Sequence, residues 1–303
     1  MQVVVLSART GWQTDELCRA LSERGHLGVV VPYDGLLARC GPARGASLTS
    51  GGVSPLDADA VLARIIPNGS LEQIIYRVDA LHWLEQRGVT VINSPRTIER
   101  CVDKFLTTTL LQDAGLLVPD TVVCEHAADA VEAIRGFGDA IVKPIFGSMG
   151  HGMVRVSDPE VGFRVCRALE QINSVFYVQR TIAHGGRDIR AFVVGGQVLG
   201  AIERRAPAGD WRTNVSGGGT AHAIALPAEW AALALQAAAL VGADYAGVDL
   251  LPGEDGRVYV LEVNGIPGWQ GLQEATGSDV AGAIADHTVA RVRGTTAAAG
   301  TGR

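Results

Sequence analysis

Residues 246–265, AGVDLLPGEDGRVYVLEVNG, hold two apolar stretches on either side of Pro252-Gly253-Glu254-Asp255-Gly256. The pattern predicts strands at 247–251 and 257–263 joined by a turn. Period-two alternation puts Glu262 and Asn264 on one face of the second strand, and Asp249 on its partner can converge with them. Two carboxylates and an amide oxygen are hard ligands of the kind Mg²⁺ takes, with phosphate oxygens completing the shell. Alternation alone also explains three polar residues on an exposed strand face, so both readings stand at this point.

Working outward, Ile189–Val194 and Val198–Glu203 flank Gly195-Gly196-Gln197, a second hairpin signal. A helix is expected over 227–241. Before the hairpins the chain alternates: strand 121–124, helix 127–135, strand 140–143, glycine loop 147–152, strand 153–156, helix 160–171 and strand 175–179. The first residues read as strand 2–6, a helix capped by Thr14, and strand 27–31, a β-α-β opening that favours a parallel sheet. Residues 40–55 read as loop, 59–66 as strand, 71–87 as helix and 89–92 as strand. Asn93-Ser94-Pro95 marks a boundary, and one helix is expected from Pro95 to Gln112 or Ala114. Residues 278–292 read as helix and 294–303 as a mobile tail.

Composition bounds the function. The chain has 303 residues, 47% of them hydrophobic, enough for a substantial core. Its formal net charge of -6 argues against nucleic-acid and anionic-membrane partners, which select for excess Lys and Arg. Cys18, Cys40, Cys101, Cys124 and Cys166 form no CxxC pair, which favours reduced thiols. Met1–Leu6 lacks the basic leader of a signal peptide, and no window reaches the length of a spanning helix. A cytoplasmic location is the expectation, with homo-oligomerisation left open.

Three further stretches carry chemistry-bearing residues. Lys143 ends a strand and precedes a loop containing Gly147, Ser148, Gly150, His151 and Gly152. Glycines admit phosphate oxygens to backbone N–H groups and the lysine adds a point charge, although the spacing is neither GxxxxGK[ST] nor GxGxxG. Gln179-Arg180-Thr181-Ile182 can offer backbone groups to an adenine edge, Asp188 can accept from ribose hydroxyls, and Arg190 can meet an anion. Arg204, Arg205 and Arg212 near Gly217-Gly218-Gly219 suit another anion. Each stretch also reads as an ordinary charged or glycine-rich surface turn.

Taken together these segments resemble the ATP-grasp superfamily, and within it the RimK-like amino-acid ligases, over about residues 1–290. The resemblance is carried by AIERRAPAGDWRTNVSGGG at 201–219, DIR at 188–190, AGVDLL at 246–251 and LEVNGIPGWQGLQEATGSDVAG at 261–282. GSLEQ at 69–73 and NSPRTIERCVDKF at 93–105 look most like the tetrahydromethanopterin:α-L-glutamate ligase branch.

The resemblance implies an α/β fold: an N-terminal parallel-sheet domain over 1–94, then a two-lobed, α+β ATP-grasp domain over 95–292. Its central lobe would span about 118–183 and its C-terminal lobe about 184–292. It further implies ATP with two Mg²⁺ or Mn²⁺ ions, and L-glutamate joined to a small carboxylate acceptor through an acyl phosphate. By resemblance, Lys104, Lys143 and Arg212 contact phosphates, and Arg180 to Asp188 serve adenine and ribose. Asp249, Glu262 and Asn264 bind metal, and Arg190, Arg204 and Asn214 adjoin the acyl phosphate or the amino acid. Relatives carry glutamate where this chain has Arg180, which puts any side-chain contact there in doubt. Trp12, Tyr76, Trp211 and Trp269 are expected as walls for an acceptor ring, with Arg9 and Arg77 for its acidic end. Other readings are a RimK-like ligase acting on a protein C-terminus or carrier-protein carboxylate, and a nucleotide-binding regulatory module without turnover. A dehydrogenase is excluded, because Ser7-Ala8-Arg9-Thr10-Gly11-Trp12 is not the dinucleotide fingerprint.

Overall fold

The computed structural model describes residues 1–42, 45–147, 152–214 and 217–300, with side chains as far as Gly294. Ser148, Gly150 and His151 of the glycine loop lie outside the described residues. The first layer contains β1 (Gln2–Ser7), α1 (Trp12–Glu23), β2 (Leu27–Pro32), the small hairpin β3 (Leu37–Arg39) and β4 (Ser47–Thr49), β5 (Ala60–Ala63), α2 (Leu71–Gln86) and β6 (Thr90–Ile92). Strands β2-β1-β5-β6 form a parallel sheet. Val3, Val4, Val5 and Leu6 are all fully buried, because helices cover both faces of such a sheet.

Two short helices follow, α3 (Pro95–Val102) and α4 (Lys104–Asp113). Ser94 caps α3 and Pro95 opens it. The single helix expected here is broken at Asp103, whose backbone is extended and whose carboxylate accepts from the Leu106 N–H to cap α4. Thr14 also differs from expectation. It sits inside the first turn of α1, bonded to Gly11 through both N–H and C=O, while Gly11 occupies the cap.

The middle of the chain holds β7 (Thr121–Cys124), α5 (Ala127–Phe137), β8 (Ala140–Pro144), β9 (Val154–Val156), α6 (Pro159–Glu170) and β10 (Phe176–Arg180). Its antiparallel sheet runs β7-β10-β8-β9, and α5 and α6 cover one face. The last part holds β11 (Arg187–Val194), β12 (Gln197–Arg205), β13 (Thr220–Ala223), α7 (Ala228–Val241), β14 (Tyr245–Pro252), β15 (Val258–Asn264), α8 (Gln270–Thr276) and α9 (Val280–Gly300). The order of this antiparallel sheet is β13-β12-β11-β14-β15. Helix α9 continues beyond the expected end at 292 into the stretch expected as tail.

One face of the first sheet shares a core with the last sheet: Val3, Val5 and Leu62 pack with Phe192, Tyr245, Trp269 and Ile284. Asn93 fastens the same junction. Its fully buried amide donates to the Tyr245 and Gly265 carbonyls and accepts from the Asp244 and Tyr245 N–H groups. Residues read only as a break in the pattern therefore contain a structural clamp. Among the described residues no helix is long and apolar enough to cross a membrane. All five cysteines are unpaired.

Candidate active site

Strand register assembles the centre of the site. Arg190 on β11 lies opposite Asp249 on β14, Asp249 lies opposite Glu262 on β15, and Asp188 on β11 lies opposite Arg204 on β12. The Arg190 guanidinium grips Asp249 with both arms, at 2.7 and 2.6 Å. Arg204 grips Asp188 in the same way, at 2.7 and 2.6 Å, and also donates to Asp249 at 2.9 Å. Thr213 donates to Asp188 at 2.7 Å. The result is a buried chain of alternating charge in which Asp188, Arg204 and Asp249 are each under 5% exposed.

Burial alone would raise the Asp249 carboxyl, but Arg190 and Arg204 outweigh it and hold the group well below the usual carboxylate range. Burial opposes the Arg204 charge, and Asp249 and Asp188 overcome that and keep it firmly protonated. Charge-assisted, bidentate pairs are the strong class of hydrogen bond, and this geometry fixes both arginines in direction.

Glu262 stands apart from that chain. Its side chain is 41% exposed, 3.8 Å from Arg190, and accepts from the Asn264 amide at 3.0 Å. The Asn264 amide oxygen accepts no hydrogen bond among the described residues. Glu262 and Asn264 thus present open oxygen donors, which fits a hard divalent cation. Asp249 fits less freely. Of about four acceptor positions on a carboxylate, its guanidinium partners take three. No cluster of His, Cys, Asp and Glu alone forms a metal site among the described residues. The amide oxygen of Asn264 would have to serve as a third ligand.

Two clefts meet at Glu262. The first lies between the middle and last sheets, and Lys104, Lys143, Gly147, Arg180, Ile182 and Arg212 all reach it. Lys143 on β8 is half-buried, and desolvation pushes its amine down to about 8. Its Nζ donates to Gln179 Oε1 at 2.6 Å, and Gln179 is held in turn by Thr121 and Tyr177. Lys104, the first residue of α4, is also lowered by burial and donates to the Gly147 carbonyl at 3.0 Å. Arg212 pairs with Asp210 at the rim, and Asn214 lines both clefts.

Two sequence expectations change here. The Arg180 and Thr181 N–H groups already donate to the Asp120 and Asp139 carbonyls, so of Arg180, Thr181 and Ile182 it is Ile182 whose N–H has no partner among the described residues and is left for a ligand. Asp188 is enclosed by Arg204 and Thr213 instead of open to solvent. The Arg180 side chain reaches the first cleft and pairs with Asp120 at 3.2 Å.

The second cleft, about 790 Å³, runs from Glu262 and Asn264 to the loop after β1. Arg9 and Trp12 line it as expected. The other acceptor expectations land elsewhere. Tyr76 bonds to the Leu36 carbonyl, Arg77 is spent on the Pro67 carbonyl, Trp211 lines the first cleft, and Trp269 is buried. Arg64, Gln13, Tyr177 and Thr213 were not singled out from sequence, since their environments come from distant segments.

A family model described as the RimK-like ATP-grasp domain matches residues 101–288. The chain belongs to the RimK-like ATP-grasp family. It is thereby an ATP-dependent carboxylate–amine ligase of the glutamate-ligase type. The tetrahydromethanopterin:alpha-L-glutamate ligase of Methanosarcina acetivorans is 37% identical over 258 residues, 76% of this chain and 80% of that protein. A probable alpha-L-glutamate ligase 2 of Hahella chejuensis is 34% identical over 299 residues, 95% of each chain. Among solved structures, the ATP-grasp ligase PsnB complexed with minimal precursor superposes with a TM-score of 0.76 at 24% identity. That superposition covers 95% of this chain and 98% of PsnB. At that identity it establishes the shared RimK-like ATP-grasp fold, an N-terminal sheet domain followed by a two-lobed core.

Proposed function

We propose that this RimK-like ligase joins L-glutamate to the terminal carboxylate of a small, tetrahydromethanopterin-like acceptor, with ATP converted to ADP and phosphate. The observation that carries the reading is the meeting of the two clefts at Glu262. The first cleft holds Lys104, Lys143 and Arg212, suited to a polyphosphate, and the second is large enough for a small-molecule acceptor. The acceptor assignment is supported by the tetrahydromethanopterin ligases of Methanosarcina acetivorans and Methanocaldococcus jannaschii, the latter 36% identical over 72% of this chain.

In this reading Lys104, Lys143 and Arg212 neutralise the β- and γ-phosphates, Gly147 approaches them by backbone, and Ile182 contacts the adenine. Gln179 aims Lys143. The acceptor carboxylate attacks the γ-phosphorus, ADP leaves, and the amine of glutamate then attacks the acyl carbon and expels phosphate, losing one proton. Arg190 and Asn214 face the site of the acyl phosphate, and the buried Arg204 and Asp188 fix Arg190 and Asp249 in place. Asp249, Glu262 and Asn264 would hold two Mg²⁺ or Mn²⁺ ions, which would neutralise charge on the transferring phosphoryl group. With domains taken as 1–94 and 95–292, the second cleft is lined by both domains and the first by the second domain alone.

The test is incubation with ATP, Mg²⁺, L-glutamate and the pterin cofactor lacking its terminal glutamate. Mass spectrometry should show a gain of one glutamyl unit. No gain there, with clear glutamylation of a protein tail, would move the protein to the peptide-modifying ligases and leave the ligase chemistry standing.

A further inference from the structure

The second cleft contains a charge that the ligase chemistry does not use. Arg64, the residue after β5, is 1% exposed and forms no ion pair among the described residues. Its guanidinium donates to three neutral acceptors, Tyr245 Oη at 3.0 Å, Gln13 Oε1 at 2.6 Å and the Pro267 carbonyl at 3.1 Å. It also lies 4.7 Å from the centre of the Trp269 ring. Rings and neutral oxygens soften the burial of a cation, but a buried charge without an anion remains costly. An anionic ligand in the cleft would supply the missing partner.

The surroundings of Arg64 are suited to that anion. Strand β1 pairs with β2 on one side and β5 on the other, so the gap beyond the ends of β1 and β5 is the switch point of the parallel sheet, where ligands of open α/β sheets bind. Helix α1 begins there. Its cap, Gly11, has no side chain to satisfy the first turn, and the Trp12, Gln13 and Thr14 N–H groups have no intrahelical partner. Arg9, exposed, lines the same end. Glu262, at the end shared with the nucleotide cleft, is the one carboxylate residue among those lining this cleft.

We infer that Arg64, Arg9 and the first turn of α1 form a subsite for a second anionic group of the acceptor, carboxylate or phosphoryl, remote from the carboxylate that reacts beside Glu262. The acceptor is then at least doubly anionic, and the protein selects against monocarboxylates. This inference rests on the ligase reading for its substrate, but the subsite can be measured without turnover.

Inorganic phosphate is the probe, titrated by calorimetry into the full chain with its first cleft filled by a non-hydrolysable ATP analogue, and followed by the fluorescence of Trp12 and Trp269, whose rings are 6.2 Å apart. Affinity should fall about tenfold or more in Arg64→Gln and several-fold in Arg9→Ala, and stay unchanged in Lys143→Ala. Arg9 is on the surface, so its variant reports even if Arg64→Gln fails to fold. Unchanged affinity in Arg9→Ala and in a folded Arg64→Gln, or loss in Lys143→Ala alone, would overturn the subsite. In turnover, Arg9→Ala and Arg64→Gln should raise KM for a dianionic acceptor and leave KM for ATP and L-glutamate alone. A rise confined to L-glutamate would overturn the assignment to the acceptor. Arginine-dependent phosphate binding with no ADP formed from any acceptor would instead count against the ligase reading.

Discussion

Among the site residues, Lys143 gives the pH dependence. Burial lowers its amine to about 8, so in the free enzyme its charge is present below that pH and lost above it. A phosphate-facing lysine that loses its charge binds ATP less well, so kcat/KM for ATP should fall as pH rises through about 8. Lys143→Arg, which keeps its charge, should flatten that limb in a pH–rate profile, and Lys143→Ala should cost about tenfold or more in ATP affinity at neutral pH by calorimetry. Glu262→Gln removes one charge at constant volume where the clefts meet, and should lower turnover about a hundredfold with an unchanged melting curve. Near-normal turnover at saturating Mg²⁺ would remove Glu262 from the metal site. Arg180 should matter little: its side chain is 40% exposed and paired with Asp120, so Arg180→Glu should leave ATP affinity within about tenfold, or about 1.4 kcal/mol. A larger change would reveal a side-chain contact to the nucleotide. These charged residues were legible in the sequence because strand alternation and register converge them. Arg64 was not, because its meaning depends on Tyr245, Pro267 and Trp269, far along the chain.

At the scale of elements, the β14–β15 hairpin follows the reading closely, since Pro252 to Gly256 punctuate two alternating runs. The break between α3 and α4 was hidden because Val102-Asp103-Lys104 contains neither Gly nor Pro; the Asp103 cap makes it locally. The break has a consequence for the site: it starts α4 at Lys104 and turns that lysine to the Gly147 carbonyl. Asp103→Ala should therefore cost about 1 kcal/mol of stability through the lost cap. It should also raise KM for ATP by more than that loss of stability explains, checked by denaturant titration beside steady-state kinetics. Unchanged KM would separate the cap from the nucleotide cleft. Helix α8 escaped notice at only seven residues, and α9 runs past its expected end through a stretch containing Ala297-Ala298-Ala299, strong helix formers.

For the whole molecule, the junction between the first and last sheets decides whether the second cleft exists at all. Asn93 makes four buried hydrogen bonds across it, all to backbone. Asn93→Ala would leave several buried groups unpaired and should cost about 3 kcal/mol by denaturant titration, with KM for the acceptor raised more than KM for ATP. A loss below about 1 kcal/mol would mean the shared apolar core alone holds the junction. The parallel sheet and the two C-terminal hairpins were legible from periodicity, but the antiparallel pairing of the middle sheet and the way the layers meet were not, because contacts such as Asn93 to Gly265 span the chain. The proposed function turns on one chemical event, transfer of the γ-phosphoryl group to a carboxylate oxygen that later leaves as phosphate. The proposed pterin acceptor should be labelled with heavy oxygen in its terminal carboxylate, turned over with ATP, Mg²⁺ and L-glutamate, and the released phosphate analysed by mass spectrometry. One heavy oxygen per phosphate, matched by one amide bond formed, is the result expected; glutamylated product accompanied by unlabelled phosphate would contradict an acyl-phosphate ligase.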